Sequence, residues 1–197
     1  DQYEPGKPLW VTETADAACG GNPWASTFLD TFRYLDQHGR LAKLGVKVIM
    51  HNTLASSDYG LLDESTLAPR PNYWASLLWH KMMGTTVLDA GPSPAQNLHL
   101  YAHCLPDQSG GVALLAINAD RTTAQELNVP VSAERYTLTA KDPMDKTVEL
   151  NGAELEVDAE GDVPPLPGIE QHAGRIVLAP ESITFLAMPK AANPACR

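Results

Sequence analysis

Glu13 stands just after an apolar run, Leu9-Trp10-Val11, and just before small residues, a Gly pair and a proline, Thr14 to Pro23. A carboxylate so placed can act as a nucleophile, an acid or a base. It can equally pair with a nearby arginine in a purely structural role. The other reactive candidates are three cysteines, Cys19, Cys104 and Cys196. None belongs to a CxxC, so zinc or redox chemistry has little support. An extracellular disulfide and three free thiols both remain open, and spacing does not choose a pair. Cys19 has no assignable histidine partner as a nucleophile, and a small loop residue is the simpler role. His38, His51, His80, His99, His103 and His172 show no HExxH or other metal spacing, so no metal site is expected. Gly20-Gly21 fits neither GxGxxG nor a Walker loop, and GxSxG is absent. No cofactor is expected.

The elements around Glu13 follow from periodicity. Leu9-Trp10-Val11 has the length and content of a buried strand. Strand, acid, loop and helix in that order put Glu13 at the carboxyl end of a strand, where parallel α/β architectures do their chemistry. Trp24 to Gln37 reads as a helix whose core stripe is Trp24, Phe28, Phe32 and Leu35, widened by Ala25 and Leu29. Gly39 is the expected stop, followed by a short helix over Arg40–Leu44 that Gly45 ends. Val46 to Met50 is a second buried strand with His51-Asn52 at its end, which completes a parallel strand–helix–strand unit. A polar loop around Ser56 to Gly60 leads to a second helix, Asn72 to Met83, with Asn72 as N-cap and Gly84 as its end.

The pattern changes at Gly91-Pro92-Ser93-Pro94. Strands are expected at 98–104, 112–118, 134–140, 147–150, 155–157, 175–178 and 183–188. Asn151-Gly152 is a hairpin signal and Pro164 to Gly168 a rigid loop. Many short strands with frequent turns indicate an antiparallel β-sandwich over residues 89–197. Residues 1–88 supply only two parallel βα units. That is too few to close a sheet or barrel, so further units are expected from elsewhere.

A chain of 197 residues can bury one good core or two small ones. Its formal net charge is -10. Residues 1–90 carry 10 acids and 7 bases, and residues 91–197 carry 14 acids and 7 bases. With no Lys/Arg cluster, broad electrostatic binding of nucleic acid is not expected. No apolar run approaches the roughly 20 residues of a membrane span. The first eight residues are a turn-rich lead-in without a signal-peptide pattern, which suggests that the chain begins in mid-protein.

Trp10-Val11-Thr12-Glu13-Thr14 followed by Gly20-Gly21-Asn22-Pro23 resembles the nucleophile region of heparanase and related β-glucuronidases, glycoside hydrolase family 79. The resemblance continues through Thr27-Phe28, Tyr34-Leu35-Asp36, Ala42 to Val46, Asp58-Tyr59, Leu62-Asp63-Glu64, Asn72 to Leu78 and Met83 to Leu88. It runs on, more weakly, through Leu100 to Cys104, Leu150-Asn151-Gly152 and Ala195-Cys196. It covers nearly the whole chain, and both the order and the spacing of the motifs match.

The resemblance implies the last βα units of a (β/α)8 barrel followed by a β-sandwich, as the C-terminal portion of a bacterial-type enzyme. It implies a retaining mechanism with two glutamates, of which Glu13 matches the nucleophile. The acid/base partner has no match here and is expected from the N-terminal part of the same enzyme. The two carboxyl groups should lie roughly 5–5.5 Å apart. In this family the loop after the eighth strand binds the substrate carboxylate. Tyr59 matches its tyrosine, and Ser57 falls near a family glycine whose amide contributes. Gly20 keeps a glycine that approaches the sugar. Asn52 matches a residue suited to sugar hydroxyls, whereas His51 replaces an arginine. Cys104 and Cys196 match two family cysteines. Their bridge would close about 90 residues, contribute up to roughly 4–5 kcal/mol, and imply a secreted or periplasmic enzyme. The expected substrate is a glucuronic-acid-containing polysaccharide, cut internally. The alternatives are removal of terminal glucuronic acid, or a non-catalytic carbohydrate-binding fragment.

Overall fold

Successive residues of the long strands point to opposite sides, and each side finds its own apolar layer. The computed structural model describes residues 4–17, 21–22 and 24–197. In chain order the elements are β1 (Leu9–Thr14), α1 (Phe28–Lys43), β2 (Val46–His51), α2 (Pro71–Met82), β3 (Val87–Leu88), β4 (Leu98–Cys104) and β5 (Val112–Asn118). They continue as β6 (Gln125–Val129), β7 (Ala133–Thr139), β8 (Glu149–Leu150), β9 (Ala153–Glu154), β10 (Ile169–Gln171), β11 (Gly174–Leu178) and β12 (Ser182–Met188). β1 and β2 pair in parallel. The large antiparallel sheet has the order β3-β4-β5-β12-β7-β8-β9, with β10 on β7, and β6 pairs with β11 as a separate two-stranded sheet.

On β12, Ile183, Phe185 and Ala187 join Leu115 and Ile117 of β5 against Phe28, Leu35, Trp74 and Leu78 of the helices. The intervening Leu186 and Met188 face the other way, onto a cluster with Leu98, Leu100, Val129, Ile176 and Leu178. The molecule is therefore helices, then the large sheet, then the β6–β11 pair. Burying one large side chain contributes roughly 1.5–3 kcal/mol, so the helix–sheet face is a principal source of stability.

α1 begins at Phe28, later than its periodicity suggests. The amides of Phe28 and Leu29 bond the carbonyls of Asp145 (2.8 Å) and Pro143 (2.7 Å), so a turn of the sheet segment caps the helix. Trp24 lies before the helix and is exposed, as is Leu29, while Ala25 is buried. Gly39 does not end the helix, which runs unbroken to Lys43. A Cβ at Gly39 would lie 2.3 Å from the Tyr101 ring of β4. That glycine is present for close approach. α2 begins one residue earlier than expected, with Arg70 as N-cap and Pro71 in its first turn. Asn72 does not cap; its buried amide donates to Asp30 Oδ2 at 2.6 Å.

The antiparallel sheet starts at Val87, which pairs with His103. β6 and β10 were not expected, and residues 155–157 form no strand, the hairpin closing instead at Ala153–Glu154. Asn151 and Gly152 both have positive φ, 53° and 84°, as a type I′ turn requires. β1 and β2 differ most from expectation. Leu9 is 61% exposed, Trp10 51% and Met50 45%, because among the described residues this pair has no neighbouring strand on either side.

Candidate active site

Parallel pairing sets the ends of β1 and β2 side by side, and this brings Glu13 and Asn52 together. Val11 pairs with Ile49 and Thr14 with His51. Three steps along β1 thus match two along β2, and Thr12 and Glu13 sit in the resulting bulge, a device that re-aims side chains. Thr14 turns inward, where its hydroxyl accepts from the Gln37 amide of α1 at 2.9 Å. Its carbonyl accepts from the Asn52 backbone amide at 2.8 Å. Glu13 is exposed, and its Oε1 accepts from Asn52 Nδ2 at 2.9 Å. The Asn52–Thr53 peptide bond is cis. An exposed carboxylate oriented by one amide donor keeps its other oxygen free for an electrophile or a proton.

His51 is half-buried and does not project beside Asn52. Its ring meets Tyr34 edge-on at 5.3 Å, and Nε2 lies 2.8 Å from the Tyr59 carbonyl. A carbonyl only accepts, so Nε2 carries the hydrogen. Burial lowers the His51 pKa, outweighing the hydrogen bond to Tyr59. Tyr59 lies against the segment that follows β1: a Cβ on Gly21 would sit 3.3 Å from Tyr59 Cδ1 and 3.1 Å from Asp58 Cβ. Ser57 has φ of 68°, the region that favours glycine. Its buried Oγ has no partner among the described residues. Gly20 and Cys19 lie outside the described residues.

A buried charge cluster backs these loops. Asp30 receives Arg33 Nε at 2.5 Å and Nη2 at 3.0 Å, besides the Asn72 amide. Arg33 Nε also lies 3.5 Å from Asp16, and Asn22 donates to Asp16. Burial, and then the like charge of Asp30, raise the Asp16 pKa. Asn22 Oδ1 accepts from the amides of Trp24 and Ala25. The segment following β1 is thereby fastened to both helices.

Sequence reasoning brought Glu13, Asn52, Ser57 and Tyr59 forward, and the structure places them on two adjacent strand ends and one loop. It missed Asp30 and Arg70. Arg70 carried one legible signal: a cation just before a helix N-terminus is unfavourable there, which implies another duty. Cys104 and Cys196 are joined, with Cα atoms 5.3 Å apart, and tie β4 to the C-terminal segment. A cleft of about 580 Å³ lies beside that bridge. Another of about 360 Å³ is lined by His38, Trp79 and His103. Neither includes Glu13. Among the described residues no three His, Cys, Asp or Glu side chains are grouped to hold a metal ion, and no helix is long and apolar enough to cross a membrane.

No protein-family model matches the chain. Heparanase of Mus musculus is 34% identical over 99% of the chain and 39% of its own length. Heparanase-like protein 1 of Arabidopsis thaliana is 31% identical over 99% and 43%. Baicalin-β-D-glucuronidase of Scutellaria baicalensis is 33% identical over 91% and 36%. The chain thus spans well under half the length of these relatives. Among solved structures, a GH51 α-L-arabinofuranosidase from Thermotoga petrophila superposes with TM-score 0.66 at 14% identity, over 92% of this chain and 43% of that one. A GH30 endoxylanase from Clostridium papyrosolvens gives 0.60 at 17%, over 93% and 42%. The arrangement of strands and helices recurs in glycoside hydrolases, and by sequence the chain is a homologue of proteins named heparanase, heparanase-like and β-D-glucuronidase.

Proposed function

We propose that this chain is the C-terminal portion of a retaining, heparanase-type β-glucuronidase of glycoside hydrolase family 79, with Glu13 as its nucleophile. The observation that carries the reading is the Asn52-oriented Glu13 carboxylate at the end of a parallel strand, in a chain a third identical to a heparanase. In the first step a Glu13 oxygen bonds to the anomeric carbon as the glycosidic C–O bond breaks. The leaving oxygen takes a proton from a second carboxyl group. In the second step that group, now a carboxylate, removes a proton from water, whose oxygen displaces Glu13. The second carboxyl group and the remaining strands of a (β/α)8 barrel come from a segment N-terminal to this one. The exposed apolar side chains of β1 and β2 fit such a completion, since parallel strands are ordinarily covered on both faces.

The carboxylate of the sugar is received by Tyr59 and the amides near Ser57, with Asn52 lining the sugar. The substrate is a glucuronic-acid-containing glycosaminoglycan such as heparan sulfate, cut internally, and the Cys104–Cys196 bridge suits a secreted or periplasmic setting. A second reading, release of terminal glucuronic acid, is favoured by the relative named for baicalin and by the neutral His51 where an arginine is expected.

A mechanism-based glucuronide inactivator followed by mass spectrometry of the complete enzyme tests the mechanism. The label should fall on the peptide containing Glu13, and a label elsewhere removes the assignment. Product sizes separate the two substrate readings. An internal cutter shortens heparan sulfate and ignores an aryl glucuronide, whereas an end-trimming enzyme does the reverse.

A further inference from the structure

Four successive carbonyl groups, those of residues 57 to 60, are gathered by two side chains from different elements. Arg70 Nη1 donates to the carbonyls of Ser57 (3.0 Å), Asp58 (2.6 Å) and Gly60 (3.3 Å). His51 Nε2 donates to the one between, Tyr59 (2.8 Å). Arg70 Nη2 reaches Asp63 Oδ2 at 3.2 Å, and the Arg70 side chain is only 7% exposed. In a planar trans peptide the C=O of one residue and the N–H of the next point in opposite directions. Drawing carbonyls 57 and 58 inward therefore turns the amides of Asp58 and Tyr59 outward. Neither amide has an acceptor among the described residues, whereas those of Gly60, Leu61 and Leu62 are bonded. The left-handed Ser57 adds the change of backbone hand typical of an anion-binding nest.

We propose that Arg70 and His51 are positioning residues that hold the turn at residues 57–60 as a nest of outward amides for the carboxylate of the bound uronic acid. The inference rests on the glucuronidase reading and adds to it the groups that set its specificity. A cation before a helix N-terminus and beneath an anion site is tolerable because three carbonyls and Asp63 surround it, and its field favours a carboxylate above. The guanidinium fork matters as much as the charge, since an ammonium cannot span three carbonyls in fixed directions.

The test uses the complete enzyme with heparan sulfate and its carboxyl-reduced form, in which glucuronic acid has become glucose. For an end-trimming enzyme it uses an aryl β-D-glucuronide and the matching aryl β-D-glucoside. In each pair the first is the glucuronide and the second the glucoside. Arg70→Lys should raise KM for the glucuronide about tenfold or more with kcat within about threefold, and lower the glucuronide-to-glucoside ratio of kcat/KM by a similar factor. His51→Phe should lower the same ratio by less, and His51→Gln, which keeps an N–H, should recover most of it. If Arg70→Lys does not fold, the His51 pair decides. A folded Arg70→Lys or His51→Phe enzyme with the wild-type ratio overturns the inference, as does an equal loss on both substrates. A wild-type enzyme with no preference for the glucuronide overturns the glucuronidase reading and this inference with it.

Discussion

The two halves of the chain bury their strands differently. In the antiparallel half, β12 is buried along its whole length, Ser182 to Met188, because helices cover one face of its sheet and the β6–β11 pair approaches the other. In the parallel half, β1 has no fully buried residue at all, although it opens on the apolar run Leu9-Trp10-Val11. The large sheet is covered on both faces and the β1–β2 pair is open, and the candidate site lies on the open pair. The covered sheet and the helices packed on it should therefore govern stability, while the open β1–β2 pair governs chemistry.

Glu13→Gln should have the largest effect and break the comparison most directly if it fails. Turnover by the complete enzyme should fall on the order of 10⁴-fold or more with the melting temperature unchanged. Retained activity would support the non-catalytic reading. Cys196→Ser should do the opposite: a 92-residue separation is worth about 4.6 kcal/mol in the chain-entropy model, seen in urea unfolding, with kcat unaffected. Asp30→Ala probes the contact between α1 and α2. It strands Arg33 and Asn72, and urea melts should register a loss of roughly 3 kcal/mol.

The smallest effect is on pH. Burial holds the His38 pKa down to about 4, and burial likewise lowers those of His51 and His103. These groups lie below their unfolded value of 6.5, so the unfolded chain binds more protons between pH 6.5 and 4, and stability is lost as pH falls through that window. Asp16, whose folded pKa is raised, opposes this only near the carboxylate range. Urea midpoints at pH 7 and pH 4.5 should differ in the wild type and differ by less in His38→Gln, where His51 and His103 still contribute.

Much of this was legible because periodicity reports which face is buried. β4, β5 and β12 were bounded to within a residue, as was the Asn151-Gly152 turn. β6 was not, since Gln125-Glu126-Leu127-Asn128-Val129 holds two apolar residues and reads as a polar loop until β11 pairs with it. Gly39 was misread because a glycine inside a helical pattern looks like a stop, and only the Tyr101 ring reveals its use. Of the site, Glu13 and Asn52 could be placed by local order, as strand ends. The Arg70 clamp could not, because its carbonyl partners are generic backbone and leave no trace in residue type.

α1 reaches both the parallel strands and the antiparallel sheet. Gln37 steadies the strand end next to Glu13, Tyr34 braces His51, and Asp36 accepts from both His99 and Tyr101 of β4 at 2.5 Å. A library of random variants selected for altered turnover will accordingly return hits at His99 and Tyr101, far along the chain from any sugar, because those side chains set the tilt of the one lever that reaches both ends.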